Sequence, residues 1–245
     1  VESSIDKSPH RIAAMFDAIA GRYDLLNTVL SGGLDRYWRR RAIESLQLSG
    51  TEQLLDVCTG TGDVAIAAAR TQNGAREVIG IDFAGAMLRH AVEKRRNASV
   101  DGRLTFVRGD AMHLPVNNAS VDRATVAFGI RNVQQPSIAC AELYRVLRPG
   151  GRFAILEFGL PATPALRSLY LWYFRHLLPR IGRIVSRHSA AYSYLPESVG
   201  AFPWGEEFAK TLREAGFHDV RSQPLSLGIV YLYSGVKSAH GAKDA

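Results

Sequence analysis

Apolar positions recur at helical spacing through the first fifty residues, and then contract into short, nearly continuous runs separated by longer periodic stretches. Ile12, Phe16, Ile19 and Tyr23 fall three or four apart, so Pro9 to Leu48 reads as helices, interrupted at Gly21 and at Ser31-Gly32-Gly33. From Gln53 the pattern alternates. Gln53 to Val57, Glu77 to Asp82, Arg103 to Arg108, Asp122 to Phe128 and Arg152 to Glu157 are predicted as buried strands. Helices are predicted between them at Val64 to Ala69, Gly85 to Arg96 and Pro136 to Leu147, the last stopped by a turn at Arg148-Pro149-Gly150-Gly151. Phe202 to Ala215, Phe217 to Ser222 and Gly228 to Val236 add a helix and two strands, expected to pair antiparallel at the sheet edge. Such alternation is the signature of a parallel sheet covered on both faces, an α/β fold. The predicted organisation is a helical N-terminal cap over 1–50 and a domain over 51–245, folded together as one compact unit with an insertion at 159–203.

Composition narrows the class. At 245 residues and 47% hydrophobic content the chain can fill a large core. The formal charge of +7 permits nucleic acid, anionic lipid or acidic small molecules as partners without choosing among them. Cys58 and Cys140 are the two cysteines, too few for a disulfide framework and without metal-ligand spacing, which fits a reducing cytosol and no metal. No run reaches the ~18 apolar residues of a membrane span, and the first residues lack the pattern of a secretory signal. The expectation is a cytoplasmic protein, soluble or peripherally membrane-bound.

In parallel sheets a ligand sits beyond the carboxyl ends of the strands. Gly60-Thr61-Gly62 follows the first predicted strand, Asp82 ends the second, Asp110 follows the third and Gly129-Ile130-Arg131-Asn132 the fourth. Asp82 lies about 20 residues beyond Gly60, the offset at which an acid accepts ribose hydroxyls. A dinucleotide is disfavoured, because Ala65 stands where a third glycine is wanted and Asp63 places an acid at a helix start, which favours a cationic cofactor.

Val57 to Asp63, Gly80-Ile81-Asp82, Gly109-Asp110-Ala111 and Arg148 to Gly151 together resemble a class I S-adenosylmethionine-dependent methyltransferase. Three further segments resemble the ubiquinone/menaquinone biosynthesis C-methyltransferase family: Arg22 to Asn27 with Ser31-Gly32-Gly33 and Trp38-Arg39, Phe128 to Val133, and Tyr194 to Val199 with Phe202-Pro203. The resemblance implies a Rossmann-like, seven-stranded, mostly parallel sheet with one antiparallel strand and a helical insertion after strand five. It implies S-adenosyl-L-methionine as cofactor, with Thr61, Gly60 and Gly62 at the methionine part, Asp82 at the ribose, and Asp110 and Ala111 at the adenine. Ala127 stands where the family often has a serine, and Leu34-Asp35 departs from the family's histidine-bearing form.

The implied reaction methylates a ring carbon of a polyprenylated quinol, demethylmenaquinol in first place and a methoxy-polyprenyl-benzoquinol as the alternative. Arg131 is expected to act as a fixed positive charge that lowers a ring hydroxyl's pKa. Asn132 and Tyr23 would orient the ring, Tyr194 would close over it, and His113 is the rival base. Between Phe158 and Pro196 stand Arg167, Arg175, Arg180, Arg183 and Arg187, two histidines and no acidic residue, alongside Leu169-Tyr170-Leu171-Trp172-Tyr173-Phe174. This insertion is expected to dock on an anionic membrane surface at the inner face of the cytoplasmic membrane, with an ordinary substrate-cap helix, or one that pairs two copies in a homodimer, as the competing reading. Nucleic acid is not an expected partner. An RNA or protein methyltransferase and a non-catalytic quinone-synthesis scaffold remain as alternatives.

Overall fold

The computed structural model describes residues 6–100, 102–173, 176 and 190–239. Helices α1 (Pro9–Ile19), α2 (Tyr23–Ser31) and α3 (Leu34–Ser45) precede β1 (Gln53–Val57), α4 (Asp63–Arg70), β2 (Glu77–Asp82), α5 (Gly85–Asn97) and β3 (Leu104–Arg108). β4 (Val121–Ala127), a short turn of 3-10 helix (Ile130–Asn132), α6 (Pro136–Val146) and β5 (Leu147–Phe158) follow. The chain closes with α7 (Pro164–Trp172), α8 (Ala190–Ala201), α9 (Glu206–Glu214), β6 (His218–Leu225) and β7 (Val230–Val236). The strands form one seven-stranded sheet in the order β3-β2-β1-β4-β5-β7-β6, with β7 antiparallel to both its neighbours.

Alternation along the strands divides the core. Phe153 and Ile155 of β5 enter the apolar layer beneath α6 and α9, whereas Ala154 and Leu156 enter the opposite layer with α3 and α4. Trp38, Ala42, Ile43 and Leu46 belong to that second layer, so α3 covers the sheet itself. The Trp38 indole N–H donates to Ser226 Oγ at 2.8 Å, tying α3 to the β6–β7 turn. Such pairing satisfies the one polar group of a side chain otherwise buried for its area.

Several boundaries differ from the sequence reading: the helix expected from Phe202 starts at Glu206 and the last strand at Val230. β5 begins at Leu147, five residues before Arg152, because Leu147 pairs with Val121 and the Gly150 N–H and Gly151 carbonyl bond the backbone of Lys237. The Pro-Gly-Gly run is therefore an irregularity inside the strand. β4 ends at Ala127 because Phe128 takes a left-handed φ of 59°, and β6 extends three residues past Ser222 to Leu225. Arg175, Arg180, Arg183 and Arg187 lie outside the described residues.

The sheet grows in opposite directions from β1 and β4, so a crevice opens at their carboxyl ends. Both strands leave it through a non-glycine residue in the left-handed region, Cys58 (φ 55°) and Phe128 (φ 59°), each costing about 1–3 kcal/mol. The two turns touch. A Cβ on Gly129 would stand 2.3 Å from the Cys58 Cβ, so only glycine fits there. Just below, Asp56 is buried and accepts the hydroxyls of Thr59 at 2.6 Å and Thr125 at 2.5 Å.

Two predictions follow from this crevice. Gly129→Ala is expected to destabilise the fold by about 1–3 kcal/mol in urea unfolding, and adding Cys58→Gly to recover most of that loss, because it removes both the collision and a left-handed side chain. Burial pushes the Asp56 carboxyl up to about 6, against the two threonine hydroxyls. A raised carboxyl favours the fold below its ordinary range near ~4, and this contribution is lost as pH rises through 6. Melting curves from pH 4 to pH 8 are thus expected to show Asp56→Asn gaining about 1–3 kcal/mol over the native chain at high pH, with the gain shrinking toward pH 4.

Candidate active site

Two cavities meet beyond the carboxyl ends of the strands. The larger, about 470 Å³, lies among α1, α2, α3, α7 and α8 and is walled mainly by apolar and aromatic side chains, including Leu26, Leu30, Trp38, Phe158 and Leu195. The smaller, about 330 Å³, lies over β1, β2 and β4 and is lined by Cys58, Gly60, Asp82, Asp110, Ala111 and Ala127 among others. Phe16, Tyr23 and Phe128 border both, so one thin aromatic wall separates them.

The smaller cavity gathers most of the residues expected to hold a cofactor. Gly60 has a left-handed φ of 56° and open space where a Cβ would be. Its N–H donates to Asp82 Oδ2 at 2.8 Å, while the Ala84 N–H donates to Asp82 Oδ1 at 2.9 Å, which fixes that carboxylate at the end of β2. Burial raises the Asp82 pKa, opposed by these backbone donors. Asp110 is set by the Met112 N–H at 2.8 Å. Asn132, on the turn after β4, also lines this cavity, and its Oδ1 is buried without a hydrogen-bond partner.

Thr61 and Gly62 line neither cavity. The Thr61 hydroxyl donates to Asp24 Oδ1 of α2 at 2.5 Å, and a Cβ on Gly62 would approach Phe106 to 2.7 Å, so packing by itself demands that glycine. Asp63 needs a correction. Lys94 and Arg39 ion-pair with it, the latter at 3.2 Å, so its charge is compensated and does not repel an anion as expected from sequence. Negative potential comes instead from around Cys58, whose thiol is pushed well up by burial and then by Asp82, Asp56, Glu157 and Asp110. The Asp82 and Asp110 carboxylates on the wall of this cavity suit a sulfonium cation. With the open backbone at Gly60, the fixed Asp82 carboxylate and the orphaned Asn132 oxygen, these residues fit S-adenosylmethionine.

On the larger cavity Arg131, expected as a fixed positive charge, is paired with an acid. Its guanidinium donates to Glu157 Oε1 at 2.7 Å and to the Phe128 carbonyl at 2.6 Å, and lies 5.2 Å from the Phe158 ring centre. Glu157 is fully buried and also accepts the N–H groups of Arg131 and Phe158. The pair cancels most of the long-range field of Arg131 and leaves a directional donor, Nε, buried and without a partner among the described residues. Sequence reasoning missed Glu157. Its signal was an acid at the end of an otherwise apolar strand.

Tyr194 lines the same cavity, and among the described residues its buried hydroxyl has no hydrogen-bond partner. Burial raises the Tyr23 pKa and a hydrogen bond with Asn27 lowers it, so the phenol stays protonated in the wall between the cavities. Asp35 is held by Ser31 and Arg39. His113 is exposed and lines neither cavity, so the geometry does not present it as a base. Among the described residues no group of histidines, cysteines and acids is arranged to hold a metal ion.

The pattern defining the ubiE/COQ5 methyltransferase family matches residues 4–237. The ubiquinone/menaquinone biosynthesis C-methyltransferase UbiE of Syntrophotalea carbinolica is 49% identical over 93% of this chain and 94% of its own. The demethylmenaquinone methyltransferase of Porphyromonas gingivalis is 40% identical over 93% of each chain. In fold, the chain resembles the phosphoethanolamine N-methyltransferase 2 of Haemonchus contortus in complex with S-adenosyl-L-methionine, at a TM-score of 0.61 and 15% identity, over 82% of this chain and 52% of that one. The fold is that of the class I methyltransferases, and with a match of such extent the chain belongs to the ubiE/COQ5 methyltransferase family.

Proposed function

We propose that this chain transfers a methyl group from S-adenosyl-L-methionine to a ring carbon of a polyprenylated quinol, demethylmenaquinol foremost, at the inner face of the cytoplasmic membrane. One observation carries the reading. Arg131 Nε, Asn132 Oδ1 and Tyr194 OH are buried polar atoms without partners among the described residues, the first and last on residues of the apolar cavity and Asn132 on the cofactor cavity. Buried polar groups without partners are rare in folded proteins, and a ligand bearing hydroxyls would satisfy these. The names of the relatives support a quinone nucleus, and the apolar cavity supports an isoprenoid tail.

The cofactor, when bound, supplies a sulfonium-activated methyl group. The chain's part is to make the ring carbon nucleophilic and to place it. Arg131 Nε donates to a ring oxygen and stabilises the negative charge that develops as its proton leaves. Tyr194 and Asn132 orient the hydroxyls, and Phe16, Tyr23 and Phe128 keep water from the transfer line. Transfer would join the methyl carbon to the ring carbon as its bond to sulfur breaks, and tautomerisation would return the ring-carbon proton to the ring oxygen, so that the one proton lost from the hydroxyl is the one released to water.

Leu25, Val29, Leu34, Tyr37, Leu169 and Trp172 are large apolar side chains exposed on α2, α3 and α7, three of whose members also line the larger cavity. Arg36 and Arg40 of α3 stand near them in sequence. Such a rim beside an apolar cavity suits an anionic bilayer from which a tail enters. Pairing of two copies through the same rim is the second reading. Among the described residues no helix is long and apolar enough to cross a membrane.

With labelled cofactor and either reduced demethylmenaquinol or a demethylated benzoquinol, the expected product is the singly methylated ring, formed faster from the naphthoquinol. Methylation of neither ring by a cofactor-bound chain would overturn the reading. Tyr194→Phe is expected to lower kcat/KM by about 10–100-fold while leaving the melting temperature equal or higher, since it removes an unsatisfied hydroxyl. In flotation with anionic liposomes, Leu169→Ser with Trp172→Ser is expected to stay with the soluble fraction while the native chain floats. Equal flotation would remove the membrane from the proposal, and a native dimer split by the same pair of changes would favour the second reading.

A further inference from the structure

S-adenosylmethionine carries a carboxylate at its amino-acid end, so its site needs a cation or backbone donors there as well as the acids that suit the sulfonium and ribose. Lys7 and Arg108 are the lysine and arginine on the walls of the smaller cavity, with His10 beside Lys7. Arg108 is exposed, stands at the end of β3 next to the turn bearing Asp110, and gives its Nε–H to the Phe83 carbonyl. Lys7 is different. It is half-buried against the cavity, and among the described residues it forms no hydrogen bond or ion pair.

Its nearest acid in sequence is already engaged. Asp6 accepts the Ser8 N–H at 2.9 Å and faces Arg11 at 3.4 Å. Glu157 is held by Arg131 at 2.7 Å. Lys7 thus adds positive charge close to a compensated pair, directly ahead of the N-terminus of α1, an end that itself favours anions. Burial, and after it the charge of Arg131 with Glu157 opposing it, lower the pKa of the Lys7 ammonium, which an arriving carboxylate would relieve.

We infer that Lys7 binds the carboxylate of the cofactor's amino-acid end, and so couples cofactor binding to the seating of α1 over the site. This rests on the cofactor reading above. Because α1 also carries Phe16 of the shared wall, the bound carboxylate would draw that wall into place before a ring enters the larger cavity.

The test is calorimetry of the intact chain with S-adenosylmethionine and with its decarboxylated analogue, which keeps the sulfonium, ribose and adenine. Lys7→Met retains the aliphatic stem and is expected to weaken S-adenosylmethionine about ten-fold or more while leaving the decarboxylated analogue unchanged, with Lys7→Arg recovering part of the loss. Unchanged affinity for S-adenosylmethionine in Lys7→Met would overturn the inference and leave the cofactor reading intact. Equal loss for both ligands would also overturn it, as a structural effect. A native chain that binds neither ligand would overturn the cofactor reading and this inference with it.

Discussion

The Arg131–Glu157 ion pair is the interaction on which the site's geometry depends. Glu157 is completely buried at the end of β5, and it accepts the Arg131 side chain and the backbone N–H groups of Arg131 and Phe158. Removing one member of such a pair costs about 3–5 kcal/mol, because the other is left charged in a medium that solvates it poorly. The pair is therefore obligatory once formed. It clamps the turn after β4 to the neighbouring strand, and through the Phe128 carbonyl it holds that residue in its left-handed conformation. Phe128 then forms part of the wall between the cavities, and Asn132, on the same turn, faces the cofactor side.

The N-terminal helices complete what the sheet begins. Tyr23 and Phe16 supply the rest of the wall, and Trp38 anchors α3 to the β6–β7 turn through Ser226, at the same end of the sheet. Asp24 joins α2 to the cofactor turn through Thr61 and Lys94, and Lys94 and Arg39 share Asp63. These partly exposed ions contribute modestly to stability, but they fix how α2, α3, α4 and α5 are set against one another. A site assembled from so many helices shields the reacting atoms from water while each contact remains individually weak.

The sheet was legible because a buried parallel strand has little choice of residue: Leu54, Leu55, Val57, Val78 and Ile81 must all be apolar, and the turns between them need glycine or an acid at particular points. Asp82 and Gly60 were legible for the same reason, their separation being fixed by one strand-helix-strand unit. Thr61 was read from the family resemblance and Asp63 from its place at a helix start, and neither reveals that Asp24, Lys94 and Arg39 come from other helices to occupy them. The start of β5 was misread because a Pro-Gly-Gly run signals a turn locally, whereas bonds to Val121 and Lys237 keep it in the sheet.

By itself the sequence determined the alternation of strands and helices, the family, and the residues that stand at the strand ends, since each depends on local pattern or on motif. Only the tertiary structure decided which of those residues are free to act. Arg131 became half of a neutral pair with one open donor, Gly62 a packing necessity, and Lys7 a cation at the cofactor cavity that forms no hydrogen bond or ion pair among the described residues. The physical reason is that charge compensation and burial are set by groups distant in the chain, and an ionic side chain has no fixed role until its counter-charge is placed.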